Sequence, residues 1–147
     1  MERFINLGLL FFIMDDCVFC KIVAEIKEED VIWEDENHVA LLDINPCARG
    51  HVMVIPKEHS RWVWDIEDDK YSDYMLAVKK VAGILRNAFG TDCVQSAIVG
   101  RDVLHSHVHL LPRVDGDGFE GIPIVPLEPK PTDEEMKEIL DKIRAVV

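Results

Sequence analysis

The sequence predicts an α+β domain, and three observations carry that expectation. Three short apolar runs follow one another between residues 31 and 56. A long stretch over residues 66–89 repeats its apolar positions at helical spacing. Two further strand-like runs, 94–99 and 104–112, frame a cluster of histidines. The chain has 147 residues, of which 48% are hydrophobic, enough for one domain with a buried core. We expect an apolar N-terminal extension over 1–14 and a single domain over 15–147.

The elements follow in order. VIWED (31–35) and HVALLDI (38–44) read as strands, with a turn at Glu36 and Asn37. HVMVIP (51–56) reads as a third strand, stopped by Pro56. Together they suggest an antiparallel meander. In the predicted helix, Tyr74, Val78, Val81, Leu85 and Phe89, with Met75 and Ala82, form one apolar stripe, and Gly90 supplies a stop. The last two strands are separated by Gly100, Arg101 and Asp102, which predicts a tight hairpin. RVDGDGFEG is a turn-rich loop without the ligand spacing of a calcium site. Pro123, Pro126, Pro129 and Pro131 keep the next segment extended. Thr132 and Glu135 form a capping box that opens a final helix running to about Val146.

Composition narrows the function. A formal net charge of −12 argues against coating a nucleic acid polymer, though a small anionic ligand in a local pocket is still compatible. The apolar run from Phe4 to Met14 is shorter than the roughly 20 residues a bilayer demands, and it lacks a clear cleavage site, so no membrane role is expected. Of four cysteines, only Cys17 and Cys20 form a pattern. Without an export signal, a reducing, cytoplasmic setting is expected rather than a disulfide framework.

Three of the six histidines, His105, His107 and His109, alternate within LHSHVHLLPR. On a strand they share one face, a placement that packing alone hardly explains. Two chemistries fit. The three bind a metal together, or they divide the work: one imidazole attacks phosphorus and a neighbour manages the leaving group's proton. The attacking ring must donate its other nitrogen to a fixed acceptor, and a strand carbonyl would serve. Cys17 and Cys20 at C-x-x-C spacing, with His59 in PKEHS, suggest a metal site, a redox pair or simply buried thiols.

HSHVHLL, CVFCKIV, VIWEDENHVALLDINPCARGHVMVIPKEHS and HVHLLPRVDGDGF together resemble the histidine triad (HIT) family, in its Hint-like bacterial and archaeal branch. The resemblance implies a five-stranded antiparallel sheet with one long central helix and a C-terminal helix, in a homodimer. It implies a cleft for a purine nucleotide or nucleotide conjugate, and hydrolysis or transfer at the α-phosphorus without a catalytic cofactor. His107 would be the nucleophile, His109 would lie by the phosphate and leaving group, and His51 would support the nucleophile. Asp43 would bind the ribose hydroxyls, with Phe19, Ile22, Leu41 and Ile44 lining the base pocket. Cys17, Cys20, His59 and His105 would hold a structural zinc.

The segment SAIVGRDVLH departs from the family pattern. It is shorter, and Arg101 and Asp102 stand where the family carries glutamine and serine. Arg101 offers a cationic clamp for phosphate. Ser106 is polar where the family is apolar. A nucleotide hydrolase is the leading expectation. A zinc-stabilised binding module with little turnover is the alternative, and a metallohydrolase on the triad is the third.

Overall fold

The computed structural model describes residues 16–147; the extension 1–14 lies outside the described residues. Five strands, β1 (Val31–Glu34), β2 (His38–Leu42), β3 (Val52–Pro56), β4 (Val94–Ala97) and β5 (Val108–Pro112), form one sheet in the order β1-β2-β3-β5-β4. Every pairing is antiparallel, and the first three strands make the meander that their apolar runs predict. Among the described residues, three α-helices accompany the sheet: α1 (Val18–Glu25), α2 (Asp68–Phe89) and α3 (Asp133–Arg144). Among the described residues, no helix is long and apolar enough to cross a membrane.

Two apolar clusters lie on opposite faces of the sheet. On one face, Val52, Val54, Val108 and Leu110 pack with Tyr74, Val81 and Leu85 of α2 and with Ile139 and Ile143 of α3. On the other, Val39, Leu41, Met53 and Ile55 pack with Cys17 and Phe19. The period of two divides β3 between them, so a strand covered on both sides reads as one continuous apolar run. Since Val108 and Leu110 face α2, His107 and His109 face the side that carries α1. Tyr74 ties α2 to the sheet by donating its hydroxyl to the Val54 carbonyl at 2.6 Å. Gly90 ends α2 in the left-handed conformation, with φ at 61°. The capping box of Thr132 and Glu135 opens α3 as the sequence predicts.

One detail differs from the sequence reading, and two places that it left open take a definite form. CVFCKIV is helical: Cys17 caps α1, its sulfur accepting from the Cys20 N–H at 3.4 Å. The fourth strand stops at Ala97 and the fifth starts at Val108, so an irregular connection over 98–107 replaces the tight hairpin. The reason lies in what the chain meets there. β3 has ended at Pro56, and the Ser106 N–H and hydroxyl both donate to the Ser60 carbonyl, at 2.6 and 2.9 Å, rather than to a strand. Gly100, at φ +66°, lies against the Trp62 ring, where a Cβ would meet a ring carbon at 2.7 Å. The DGDG turn is organised by Arg113, which pairs with Asp117 at 2.6 Å and donates to the Phe119 and Gly121 carbonyls.

Candidate active site and metal centre

Both clusters of chemically active side chains sit on the α1 face. Cys17 and Cys20 come from the start of α1, His59 from the chain after β3, and His105 from the segment before β5. Their ligand atoms lie within 4.8 Å of one another. The two Nδ1 atoms of His59 and His105 are 3.2 Å apart. Cys20 Sγ is 3.3 Å from His59 Nδ1 and 3.5 Å from His105 Nδ1, and Cys17 Sγ is 3.4 Å from His105 Nδ1. A tetrahedral zinc with its usual bond lengths separates nitrogens by about 3.3 Å and nitrogen from sulfur by about 3.5 Å. The donor set and its spacing therefore fit a single four-coordinate ion. His105 Nε2 donates to the Pro56 carbonyl at 2.7 Å, which leaves Nδ1 free to bind and fixes the ring. Burial and the neighbouring Cys17 push the Cys20 thiol up to about 12. Burial lowers His59 and brings His105 down to about 4. A divalent cation would supply the positive charge that the thiolates need in so buried a place.

The second cluster is built on hydrogen bonds of fixed direction. His107 Nδ1 donates to the His105 main-chain carbonyl at 2.7 Å. Its tautomer follows from that acceptor, and Nε2 keeps a free lone pair. Phe19 and His107 pack at right angles with ring centroids 5.0 Å apart, and the His109 ring lies 4.8 Å from that of His107. The Cys47 backbone N–H donates to His51 Nδ1 at 3.1 Å. His51 Nε2 therefore carries the hydrogen and donates to His109 Nδ1 at 2.9 Å. That bond in turn places a hydrogen on His109 Nε2. The resemblance implied that His51 supports the nucleophile; its hydrogen bond runs to His109, whose ring lies beside that of His107. Burial first, then the crowding of His107 and His51, brings His109 down to about 4, partly offset by Asp43 and Asp102. Burial lowers His51 as well. Both rings are uncharged at neutral pH.

The remaining expected residues divide. Phe19 and Leu41 are buried in the α1-side cluster, and Ile22 packs against it. Ile44 is 71% exposed and lies outside that cluster. Asp43 Oδ2 lies 3.6 Å from His51 Nε2 and 3.8 Å from His109 Nδ1, while Oδ1 accepts from the Asn45 N–H. Arg101 is exposed and makes no ion pair among the described residues. Asp43, His51 and His109 also lie close enough to suggest a metal group. The Cys47 N–H argues against it, because it occupies the Nδ1 lone pair and keeps the hydrogen on the atom that would bind the ion. Sequence reading did not find Cys47, whose contribution is a backbone amide, or Ser60 and Trp62, which support the 98–107 connection.

An antiparallel sheet flanked by helices, with three adjacent imidazoles beside a Cys/His cluster that could hold a metal ion, defines a histidine-triad fold. The HIT domain family model matches residues 24–116, and the chain belongs to the HIT family. An uncharacterised HIT-like protein of Borreliella burgdorferi is 40% identical over 114 residues, 72% of this chain and 81% of that protein. The adenosine 5′-monophosphoramidase of Schizosaccharomyces pombe is 32% identical, over 82% of this chain and 95% of its own. Among solved structures, a zinc-bound histidine triad family protein from Mycobacterium smegmatis is similar with a TM-score of 0.70 at 32% identity, covering 90% of this chain and 95% of that one.

Proposed function

We propose that this protein is a nucleotide hydrolase or transferase that works at the α-phosphorus of a purine nucleotide conjugate through a nucleotidyl intermediate on His107. The observation that carries the reading is the 2.7 Å bond from His107 Nδ1 to the His105 carbonyl, which leaves Nε2 as the free nucleophile. Nε2 forms a bond to phosphorus as the bond to the leaving group breaks. The ring then carries positive charge, which the His105 carbonyl stabilises through the Nδ1–H. The leaving group, an amine in a phosphoramidate, takes up a proton. An arriving phosphate raises the affinity of the His109 ring for a proton, so the ring enters the step as an imidazolium, gives its Nε2 proton to the leaving group and returns to the neutral form. Water then attacks phosphorus, the bond from phosphorus to His107 Nε2 breaks, and the water proton passes to the neutral His109 as the mononucleotide leaves.

Asp43 accepts from the ribose hydroxyls in this reading, with Phe19, Ile22, Leu41 and Ile44 beside the base. Arg101 gives its planar fork to phosphate. The activity of the Schizosaccharomyces relative supports phosphoramidates as the first substrates to try. Cys17, Cys20, His59 and His105 hold a structural zinc, a reading supported by the zinc-bound Mycobacterium relative and by the ligand spacing. The same reading takes a cytoplasmic homodimer as its setting.

The test is single turnover with an adenosine phosphoramidate and a diadenosine polyphosphate, wild type beside His107→Ala. An acid-labile nucleotidyl adduct in wild type alone is the expected result. Tight AMP binding with no turnover of either substrate would instead make the protein a nucleotide-binding module.

A further inference from the structure

His105 serves both clusters with different atoms. Its Nδ1 faces the sulfurs of Cys17 and Cys20 and Nδ1 of His59, at 3.2–3.5 Å. Its main-chain carbonyl is the acceptor that sets the His107 tautomer. Phe19, between the two cysteines in sequence, makes the same connection from the other side. Its ring meets His105 edge-on at 5.9 Å and His107 edge-on at 5.0 Å.

Residues 105–107 lie outside the sheet ladder, which β5 joins only at Val108. What holds them is therefore local. His105 is held by the cluster and by the Pro56 carbonyl. Ser106 is held by the Ser60 carbonyl, and Ser60 directly follows the cluster residue His59. Both anchors of the segment that presents His107 thus trace to the metal cluster. The Nδ1 atoms of His59 and His105 lie 3.2 Å apart beside the two sulfurs, the spacing of ligands that share one cation.

We propose that a metal ion on Cys17, Cys20, His59 and His105 is a positioning device for the nucleophile: it pins the His105 carbonyl and Phe19, and through them holds His107 in the Nδ1–H tautomer with Nε2 toward the substrate. Metal occupancy then controls the chemical step separately from the fold. The inference rests on His107 being the nucleophile.

The experiment compares four full-length preparations: wild type loaded with zinc, wild type stripped by a chelator, Cys20→Ser, and Cys20→His loaded with zinc as a rescue. Each is measured for bound zinc, for folding by circular dichroism, for AMP affinity, and for the rate of adduct formation in a single turnover. The His107 tautomer is read from nitrogen-15 shifts at one pH above the imidazole range. All readings are taken well below the melting temperature of the least stable preparation.

Stripped wild type and Cys20→Ser should remain folded and bind AMP within about threefold of the loaded protein, while the adduct rate falls about 100-fold, the scale of a misplaced reacting group. A His107 population with hydrogen on Nε2 should appear alongside. Cys20→His with zinc should restore both the rate and the single tautomer. Should Cys20→Ser fail to fold, the stripped wild type and Cys20→His decide. A folded, metal-free protein with an unchanged rate and a single Nδ1–H tautomer would overturn the proposal. So would parallel losses of AMP affinity and rate that track the unfolded fraction. If the loaded wild type forms no adduct at all, the nucleophile reading fails, and the tautomer signal alone still decides the positioning role.

Discussion

His51 Nε2 lies 2.9 Å from His109 Nδ1, and the Cys47 backbone N–H gives that bond its direction. Because His51 must donate, His109 must accept at Nδ1, and its hydrogen is therefore on Nε2. His51→Ala frees His109 to adopt the other tautomer. With an amine leaving group, which needs a proton, kcat should fall on the order of 100-fold. With a fluoride leaving group, which needs none, the loss should shrink to within about threefold. Equal losses on both substrates would remove the leaving group from the role of His109.

Acid should weaken the fold through the same ring. Burial brings His109 down to about 4 from an ordinary 6.5. Between those values the unfolded chain holds a proton that the folded chain refuses, so stability falls as pH drops from about 6.5 toward 4. The side chain is 16% exposed, and screening trims the full linkage. From pH 7 to pH 5 the loss traceable to His109 should be on the order of 1–2 kcal/mol. Urea unfolding at the two pH values, wild type beside His109→Gln, measures it as a difference. A variant that loses as much stability as wild type over that interval would show that another group titrates.

The parts of this molecule that were legible in the sequence are those that repeat. The meander, α2 and the capped α3 announce themselves by period or by cap residues. The misread hairpin and the unassigned helix over CVFCKIV lack such a signal. α1 is eight residues long and begins on a thiol cap, outside the usual serine, threonine, aspartate and asparagine set. In LHSHVHLLP the side chains alternate equally well on a paired strand or on an extended lead-in, so the pattern gave the shared face without the ladder's boundary. The site's directionality was hidden for a further reason. It depends on the Cys47 N–H and on the carbonyls of His105 and Pro56, and backbone groups look alike in every sequence.

Gly100 should be hard to replace. Its φ of +66° disfavours any side chain, and a Cβ would press on the Trp62 ring at 2.7 Å. The Arg61 guanidinium also stacks on this ring, at 4.3 Å from the centroid. Gly100→Ala should cost about 1–3 kcal/mol in chemical unfolding. In a Trp62→Leu background the same change should cost about 1 kcal/mol less, because only the backbone strain remains. Additive effects in this double-mutant cycle would mean that the connection moves away from Trp62 without resistance.

The charges around His109 predict which leaving groups the site favours. Asp43 lies 3.8 Å from its Nδ1, and the charge of Asp102 also reaches the ring. Both pull its pKa upward, and among the described residues no lysine or arginine acts on it. Asp102 is exposed and makes no ion pair among the described residues. A leaving amine gains from a nearby carboxylate as it becomes an ammonium, whereas a polyphosphate is repelled. Asp102→Asn should therefore raise kcat/KM for a diadenosine polyphosphate relative to an adenosine phosphoramidate, by about fivefold for a single exposed charge worth about 1 kcal/mol. The gain should diminish at high salt, since the interaction crosses solvent. Arg101→Ala should move the ratio in the opposite direction if its guanidinium holds phosphate, which makes the pair a matched control. A ratio unchanged by Asp102→Asn at low salt would show that this carboxylate faces away from the leaving group.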